Sequence, residues 1–269
     1  MSRLPFWKMH GAGNDFILID DRSVSTPISD PSRISAWADR RTGIGADGII
    51  LIQPSDAATF RMRFFNRDGG EAEMCANGAR CVSRLAYDLG VASERMQIET
   101  MAGPLSAEMA GDQVRLMMMD PADLRLDEAI ELNGASLVFC SLNTGVPHVV
   151  VDSADVDSVD VQKMGSVLRY HDEFAPRGTN VNFAQVSGPQ SLRVRTYERG
   201  VEGETLACGT GAVACSLIAA KHSQVTAPVV VTCAGGSTLT VDFQLTPDSA
   251  ENVTLLGPAE YVFEGTIQL

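Results

Sequence analysis

Two cysteines in this chain stand in the same local setting. Cys75-x-x-Gly78-Ala79 and Cys208-x-x-Gly211-Ala212 each follow an acidic, Gly-containing turn, and each leads into an apolar helical pattern. Phe65-Asn66-Arg67 ends eight residues before Cys75, and Tyr197-Glu198-Arg199 ends nine before Cys208. A thiol has an ordinary pKa of about 8.5, close enough to neutral pH to serve as either an acid or a base. One thiol repeated in one setting therefore points to paired chemistry, in which one group takes a proton and the other gives one. Cys81, Cys140, Cys215 and Cys233 lack these flanks and read as core residues.

Such thiols need elements to hold them. Val82, Leu85, Ala86 and Leu89 recur at helical spacing after Cys75, and Val213, Ser216, Leu217 and Ala220 form a weaker, Ala-rich version after Cys208. Both patterns predict buried helices that begin at the cysteine. The first-turn N–H groups of a helix lack intrahelical partners and carry the positive end of its dipole, so a carboxylate is stabilised there. The same field is expected to lower a thiol pKa.

The remaining pattern predicts strands over 16–19, 49–52, 60–65, 97–100, 114–119, 138–142, 149–151, 178–183, 192–197, 229–232, 239–243 and 253–255, and helices over 32–40 and 155–168. Gly11-Ala12-Gly13-Asn14 reads as a tight turn. Met117-Met118-Met119 reads as a strand buried on both faces, and the acidic 121–127 as a loop at a domain boundary. Residues 257–259 read as a crossover back to the first half. The Gly-rich 43–48 lacks the Lys-Ser/Thr of a phosphate loop and the helix of a dinucleotide fingerprint, so ATP or NAD finds weak support. His148, directly after Pro147, and the Glu198-Arg199 pair each allow a structural or a functional reading.

At 269 residues, with 45% hydrophobic and 20% charged residues, the composition is that of a globular protein with room for two domains. Twenty-one basic against 34 acidic residues give a net charge of −13, which argues against nucleic acid and anionic membrane surfaces as partners. With no apolar run of membrane-spanning or signal-peptide length, the expected location is cytoplasmic. Six cysteines without a Cys-x-x-Cys pair read as reduced thiols, and four scattered histidines suggest no metal site.

Taken together, KMHGAGNDF, FFNRDGGEAEMCANGARC, TGVPHVVV, GTNVNF, YERGVEGETLACGTGA and GPAEYVFEG resemble the diaminopimelate epimerase family, in blocks spread from residue 8 to residue 265. The resemblance implies an α/β (α+β) fold of two pseudo-symmetric domains, each a curved mixed or antiparallel sheet wrapped around a central helix, with the active site between them. The domains would be 1–121, completed by 257–269, and 122–256. It implies a homodimer that uses no cofactor and no metal, and interconverts LL- and meso-diaminopimelate for lysine and peptidoglycan synthesis. Cys75 and Cys208 would be the acid/base pair, tuned by His148 and Glu198. Asn14, Asn66, Asn180, Glu198 and Arg199 would hold the substrate's amino and carboxylate groups. Ala76 with Asn77, and Gly209 with Thr210, would offer helix N–H groups to the carboxylate at the reacting carbon. Ala76 replaces a common Gly, Gly48 a Gln found in some members, and Val146 a common Asn. The alternatives are a racemase of the same fold acting on another amino acid, a binding protein without turnover, and a thiol-disulfide oxidoreductase.

Overall fold

Residues 49–52 place four apolar side chains in a row, and all four are buried, so the strand they form is covered on both faces. Ile49 and Leu51 join a cluster with Leu4, Phe6, Ile17, Ile19, Ile34 and Phe65. Ile50 faces the other way, against Gly78 in the helix that follows Cys75. This computed structural model describes residues 3–23, 30–132 and 134–268. The chain forms two compact units, Met1–Leu116 with Gly257–Leu269, and Met117–Leu256.

Unit 1 contains β1 (Arg3–Gly11), β2 (Asn14–Asp20), α1 (Pro31–Ala38), β3 (Gly48–Gln53), β4 (Phe60–Asn66), the short β5 (Glu71–Ala72), α2 (Ala76–Asp88), β6 (Arg95–Thr100), β7 (Gly103–Ala110), β8 (Gln113–Met117) and the last strand, β18 (Glu260–Gln268). β18 pairs antiparallel with β1, and β1 with β2; β2 runs parallel to β3, β3 antiparallel to β4, and β4 parallel to β6. Antiparallel β7 and β8 complete the order. The β1–β2 hairpin turns through Ala12 and Gly13, at φ 56° and 89°, the left-handed pair that a tight hairpin requires. α2 touches β1, β2, β3, β4 and β7, strands from across the order, so the sheet curves around it.

Unit 2 repeats this plan with β9 (Ala122–Leu132), β10 (Ala135–Asn143), β11 (Pro147–Asp152), α3 (Val161–Arg169), β12 (Asn180–Gly188), β13 (Ser191–Glu198), β14 (Gly203–Thr205), α4 (Gly209–Lys221), β15 (Val229–Cys233), β16 (Thr238–Leu245) and β17 (Ala250–Pro258). Each pairing matches its counterpart in direction: β9–β10 and β10–β11 antiparallel, β11–β12 parallel, β12–β13 antiparallel, β13–β15 parallel, β15–β16 and β16–β17 antiparallel. α4 is the central helix here, in contact with β10 through β13, β15 and β16. α3 covers the outer face over Phe139, Val149, Val151, Val181, Phe183 and Tyr197. The registers also match the two units residue by residue. Phe16 opposite Gly48 corresponds to His148 opposite Asn180, and Ile50 opposite Phe64 to Asn182 opposite Thr196.

Three expectations are corrected. Residues 121–127 are not a loop, because Ala122 onward forms β9 along β10. Its acidic residues are compatible with a strand whose outer side chains meet water, and Asp123 and Asp127, at φ 54° and 53°, kink it. Met117–Met119 is not buried on both faces either: Met117 and Met119 are exposed and only Met118 is buried. The helix expected over 155–168 splits into a short 3₁₀ turn, Val156–Ser158, and α3. Strands β1, β5, β7, β14 and β18 lie outside the strands expected from the sequence.

One ion-pair cluster in unit 1 has a pH signature. The Asp15 carboxylate accepts from Lys8 and from Arg40 Nη2 at 2.6 Å. Burial pushes its pKa up, but these bonds outweigh it and hold Asp15 down at about 2, from an ordinary 3.8. A lowered folded pKa stabilises the fold above the unfolded value, and that contribution fades as pH falls from about 4 toward 2. Asp15→Asn should therefore destabilise by about 2 kcal/mol at neutral pH. Thermal unfolding should show the gap to wild type closing across that acidic window; a gap unchanged down to pH of about 2 would refute the assignment.

Candidate active site

The two pairs of helices begin differently. α1 and α3 start in the ordinary way, with Asp30 and Asp160 accepting first-turn N–H groups. α2 and α4, both 13 residues long, start at Cys75 and Cys208, and neither cysteine side chain caps its helix. Forgoing a cap costs about 1 kcal/mol. In return, each helix start presents first-turn N–H groups and the positive end of its dipole beside a thiol, the arrangement that receives an anion. The duplication extends to detail. Ser83 donates to Ala79 O at 2.7 Å in α2, and Ser216 to Ala212 O at 2.8 Å in α4. Both pairs lie at the same distance from their cysteine.

In unit 1 the structure brings together Asn14, Cys75 and Asn77. Asn14 Nδ2 donates to Asp47 Oδ2 at 2.7 Å, which turns Asn14 Oδ1 toward the helix start. There it accepts from Cys75 Sγ at 3.5 Å and from Asn77 Nδ2 at 3.3 Å. Asp47 is in turn held by Arg40 at 2.7 Å, so the Asp15 cluster steadies Asn14. Arg80 is fully buried and donates to Asn77 Oδ1, Ala76 O and Pro258 O at 2.8, 3.4 and 3.2 Å. It thus ties the helix start to the returning C-terminal segment. Gly11 admits this arrangement, since a Cβ there would lie 2.7 Å from Asn77 O. Asn66, exposed at the end of β4, closes the turn to Gly69 and Gly70 through its backbone.

In unit 2 the corresponding region is more polar. Cys208 is buried, with Thr210 Oγ1 3.5 Å from its sulfur. Burial pushes the Cys208 thiol well up and the Glu198 carboxylate pushes it further, so the expectation that the helix field would lower it is overturned for this thiol. The desolvation and the nearby negative charge exceed what a helix start supplies. Arg199 donates its backbone N–H to Asn180 Oδ1 at 2.9 Å, and Asn180 Nδ2 donates to Pro147 O at 3.0 Å. Thr144 Oγ1 donates to Thr210 O at 3.2 Å, which joins the β10–β11 turn to the start of α4. His148 is buried, and burial, with the Arg199 guanidinium adding, holds its pKa down to about 3. It is neutral near pH 7.

The side chains that sequence reasoning passed over are Asn182, Thr196, Asp47, Arg40 and Arg80. Asn182 had a signal: it lies two residues from Asn180, on the same strand face. Cys81 and Cys215 pack inside the central helices as expected, with burial pushing Cys81 up to about 12. Although spacing suggested no metal cluster, the Asp127, Cys140 and His222 side chains meet in unit 2, with His222 Nε2 3.3 Å from Asp127 Oδ1. Among the described residues no helix is long and apolar enough to cross a membrane.

Solved structures define the class. A PhzF-family phenazine biosynthesis protein of Bacillus anthracis superposes with a TM-score of 0.77 over 100% of both chains at 15% identity. A hydroxyproline epimerase from Agrobacterium vitis gives 0.72 over 98% of this chain and 92% of its own, at 16% identity. At such identity the likeness establishes the fold: two helix-centred units of the PhzF and proline-racemase kind. The sequence narrows this further. The diaminopimelate epimerase family matches residues 6–124 and 140–262. The diaminopimelate epimerases of Aquifex aeolicus and Archaeoglobus fulgidus are 41% and 42% identical to this chain, covering 98% and 99% of it and 98% and 97% of their own lengths. The chain belongs to the diaminopimelate epimerase family.

Proposed function

We propose that this protein interconverts LL- and meso-diaminopimelate by a two-base mechanism, with Cys75 and Cys208 as the acid/base pair. One observation carries the reading: each unit starts its central helix on an uncapped cysteine at the same topological position. Inversion without an imine-forming group needs a base on one face of the α-carbon and an acid on the other. The reading therefore requires the two sulfurs to address that carbon from opposite sides. One thiol must be ionised while the other stays protonated, and their roles exchange with the direction of reaction.

Tuning the thiols is a minor part of the catalysis. Even if both thiols came down from about 8.5 to about 7.5, the mixed state at pH of about 7.5 would rise only about threefold, or ~0.7 kcal/mol, and burial with Glu198 pushes Cys208 the other way. Enzymes commonly supply about 8 kcal/mol or more. In this reading the larger share comes from the first-turn N–H groups of α2 and α4, which hold the carboxylate where carbanion charge collects. Asn14, Asn66, Ala76, Asn77, Asn180, Glu198, Arg199, Gly209 and Thr210 are the proposed substrate contacts. His148 and Glu198 are the proposed neighbours of the thiols. The reading includes a small-molecule substrate, a homodimer, a cytoplasmic setting and a place in lysine and peptidoglycan precursor synthesis.

The test is isotopic. With LL-diaminopimelate in D2O, the meso product should carry solvent deuterium at the inverted α-carbon. Exchange with proline or histidine but not with diaminopimelate would favour a racemase of other specificity. Absence of exchange with all three would favour a binding protein.

A further inference from the structure

The matched registers reveal an asymmetry beneath the two helix starts. In unit 1 the positions are Phe16, Ile50 and Phe64, all buried, with the two rings edge to face at 5.9 Å. In unit 2 the same positions hold His148, Asn182 and Thr196, also buried. One topology is thus completed by carbon in one unit and by a polar triad in the other. The fold therefore does not require buried polar groups here, and burying them is costly unless each is matched.

The matching determines where the protons lie. Asn182 Nδ2 is 2.8 Å from Val149 O, a carbonyl that can only accept, which fixes the orientation of the amide. Asn182 Oδ1 then accepts from Thr196 Oγ1 at 2.9 Å. The second hydrogen on Nδ2 points to His148 Nδ1 at 3.1 Å, so that ring nitrogen is an acceptor. In a neutral ring the proton is then on Nε2, which is buried and has no hydrogen-bond partner among the described residues. The charged group acting on this ring is the Arg199 guanidinium.

We propose that Asn182 is a positioning residue that holds His148 in the neutral Nε2–H form, making it a hydrogen-bond donor to an anionic group of the substrate rather than a proton acceptor. This rests on the epimerase reading for the identity of the anion, but the tautomer itself does not. Arg199 and His148 would together present donors and no acceptor, which suits a carboxylate. Thr196 and Val149 hold Asn182, and Asn182 holds the ring.

Long-range 1H–15N correlation of the histidine rings in 15N-labelled protein near neutral pH tests this directly, with His148→Gln used for assignment. The expected spectrum has Nδ1 unprotonated and Nε2 protonated. A proton on Nδ1, or on both nitrogens, overturns the proposal. Asn182→Asp replaces the donor with a carboxylate that accepts, and should move a proton to Nδ1. It should lower kcat by about 10–100-fold, as loss of a histidine's orienting partner does elsewhere. A changed tautomer with unchanged kcat would overturn the link to turnover. If Asn182→Asp does not fold, the wild-type spectrum still decides the tautomer. The expected tautomer in a protein that exchanges no α-hydrogen would sink the epimerase reading and leave this assignment standing.

Discussion

Serine at Cys75 or at Cys208 is expected to lower epimerase turnover by about 10²–10⁴-fold, the range of a positioned acid or base, while unfolding stays close to wild type. The hydroxyl fits the space of the thiol, and at 208 it can bond the Thr210 hydroxyl that already lies 3.5 Å from the sulfur. What is lost is acidity, since serine does not ionise near neutral pH and cannot alternate between base and acid. The two variants should also differ from a dead site. With one thiol left, one stereoisomer still presents its α-hydrogen to a competent base, so that isomer should exchange with solvent without inverting. The other should not exchange. Steady-state turnover and deuterium incorporation with each pure isomer check this. Near wild-type epimerisation in either single variant would end the two-base account.

Alanine at Gly211 should be far more damaging than alanine at Gly78, although the two positions are equivalent in the repeat. Both glycines lie in the first turn of a helix, where alanine on propensity alone would gain up to about 1 kcal/mol. Space reverses that at 211. A Cβ there would meet Asn182 Oδ1 at 2.3 Å and Cys208 Sγ at 3.3 Å. Asn182 has no room to yield without breaking its bonds to Thr196, Val149 and His148. At 78 the nearest atom is Ile50 Cδ1 at 2.7 Å, the end of a flexible side chain that can rotate aside. Gly211→Ala is expected to destabilise by about 1–3 kcal/mol, the range for overpacking, and to lower kcat by about 10²-fold as Cys208 and His148 shift. Gly78→Ala should stay within about 1 kcal/mol of wild type. Urea unfolding together with kcat distinguishes them. Equal losses at both sites would mean that the space around Asn182 is not what matters.

These two predictions draw on different sources. The cysteines were visible in the sequence because a helix start has a local signature: a cysteine, small residues three and four positions on, and apolar residues at helical spacing. The apolar strand at 49–52 and the tight turn at 11–14 were legible for the same reason, since periodicity and turn chemistry act over a few residues, whereas the double burial of the one and the hairpin around the other were not. Asn182 was readable only as a second asparagine on the face of Asn180. That it orients a histidine depends on the register of β11 against β12, a pairing across more than 30 residues.

Local pattern failed where a distant partner decides. The acidic 121–127 looked like a loop, yet along β10 its backbone bonds complete a ladder while its charges face water. The helix field suggested a lowered thiol pKa, yet burial and Glu198 reverse it at Cys208, because desolvation depends on everything packed around the sulfur.

The amino-acid order alone thus determined the family, the repeated cysteine device and the central helices, because these rest on short-range spacing that survives any arrangement of the rest. Only tertiary structure decided which strands surround each helix, which carboxylate faces which thiol, and that one helix start rests on rings and the other on a hydrogen-bonded triad. Those features come from side chains far apart in the chain meeting in a dense interior, where position sets the cost of every charge and proton.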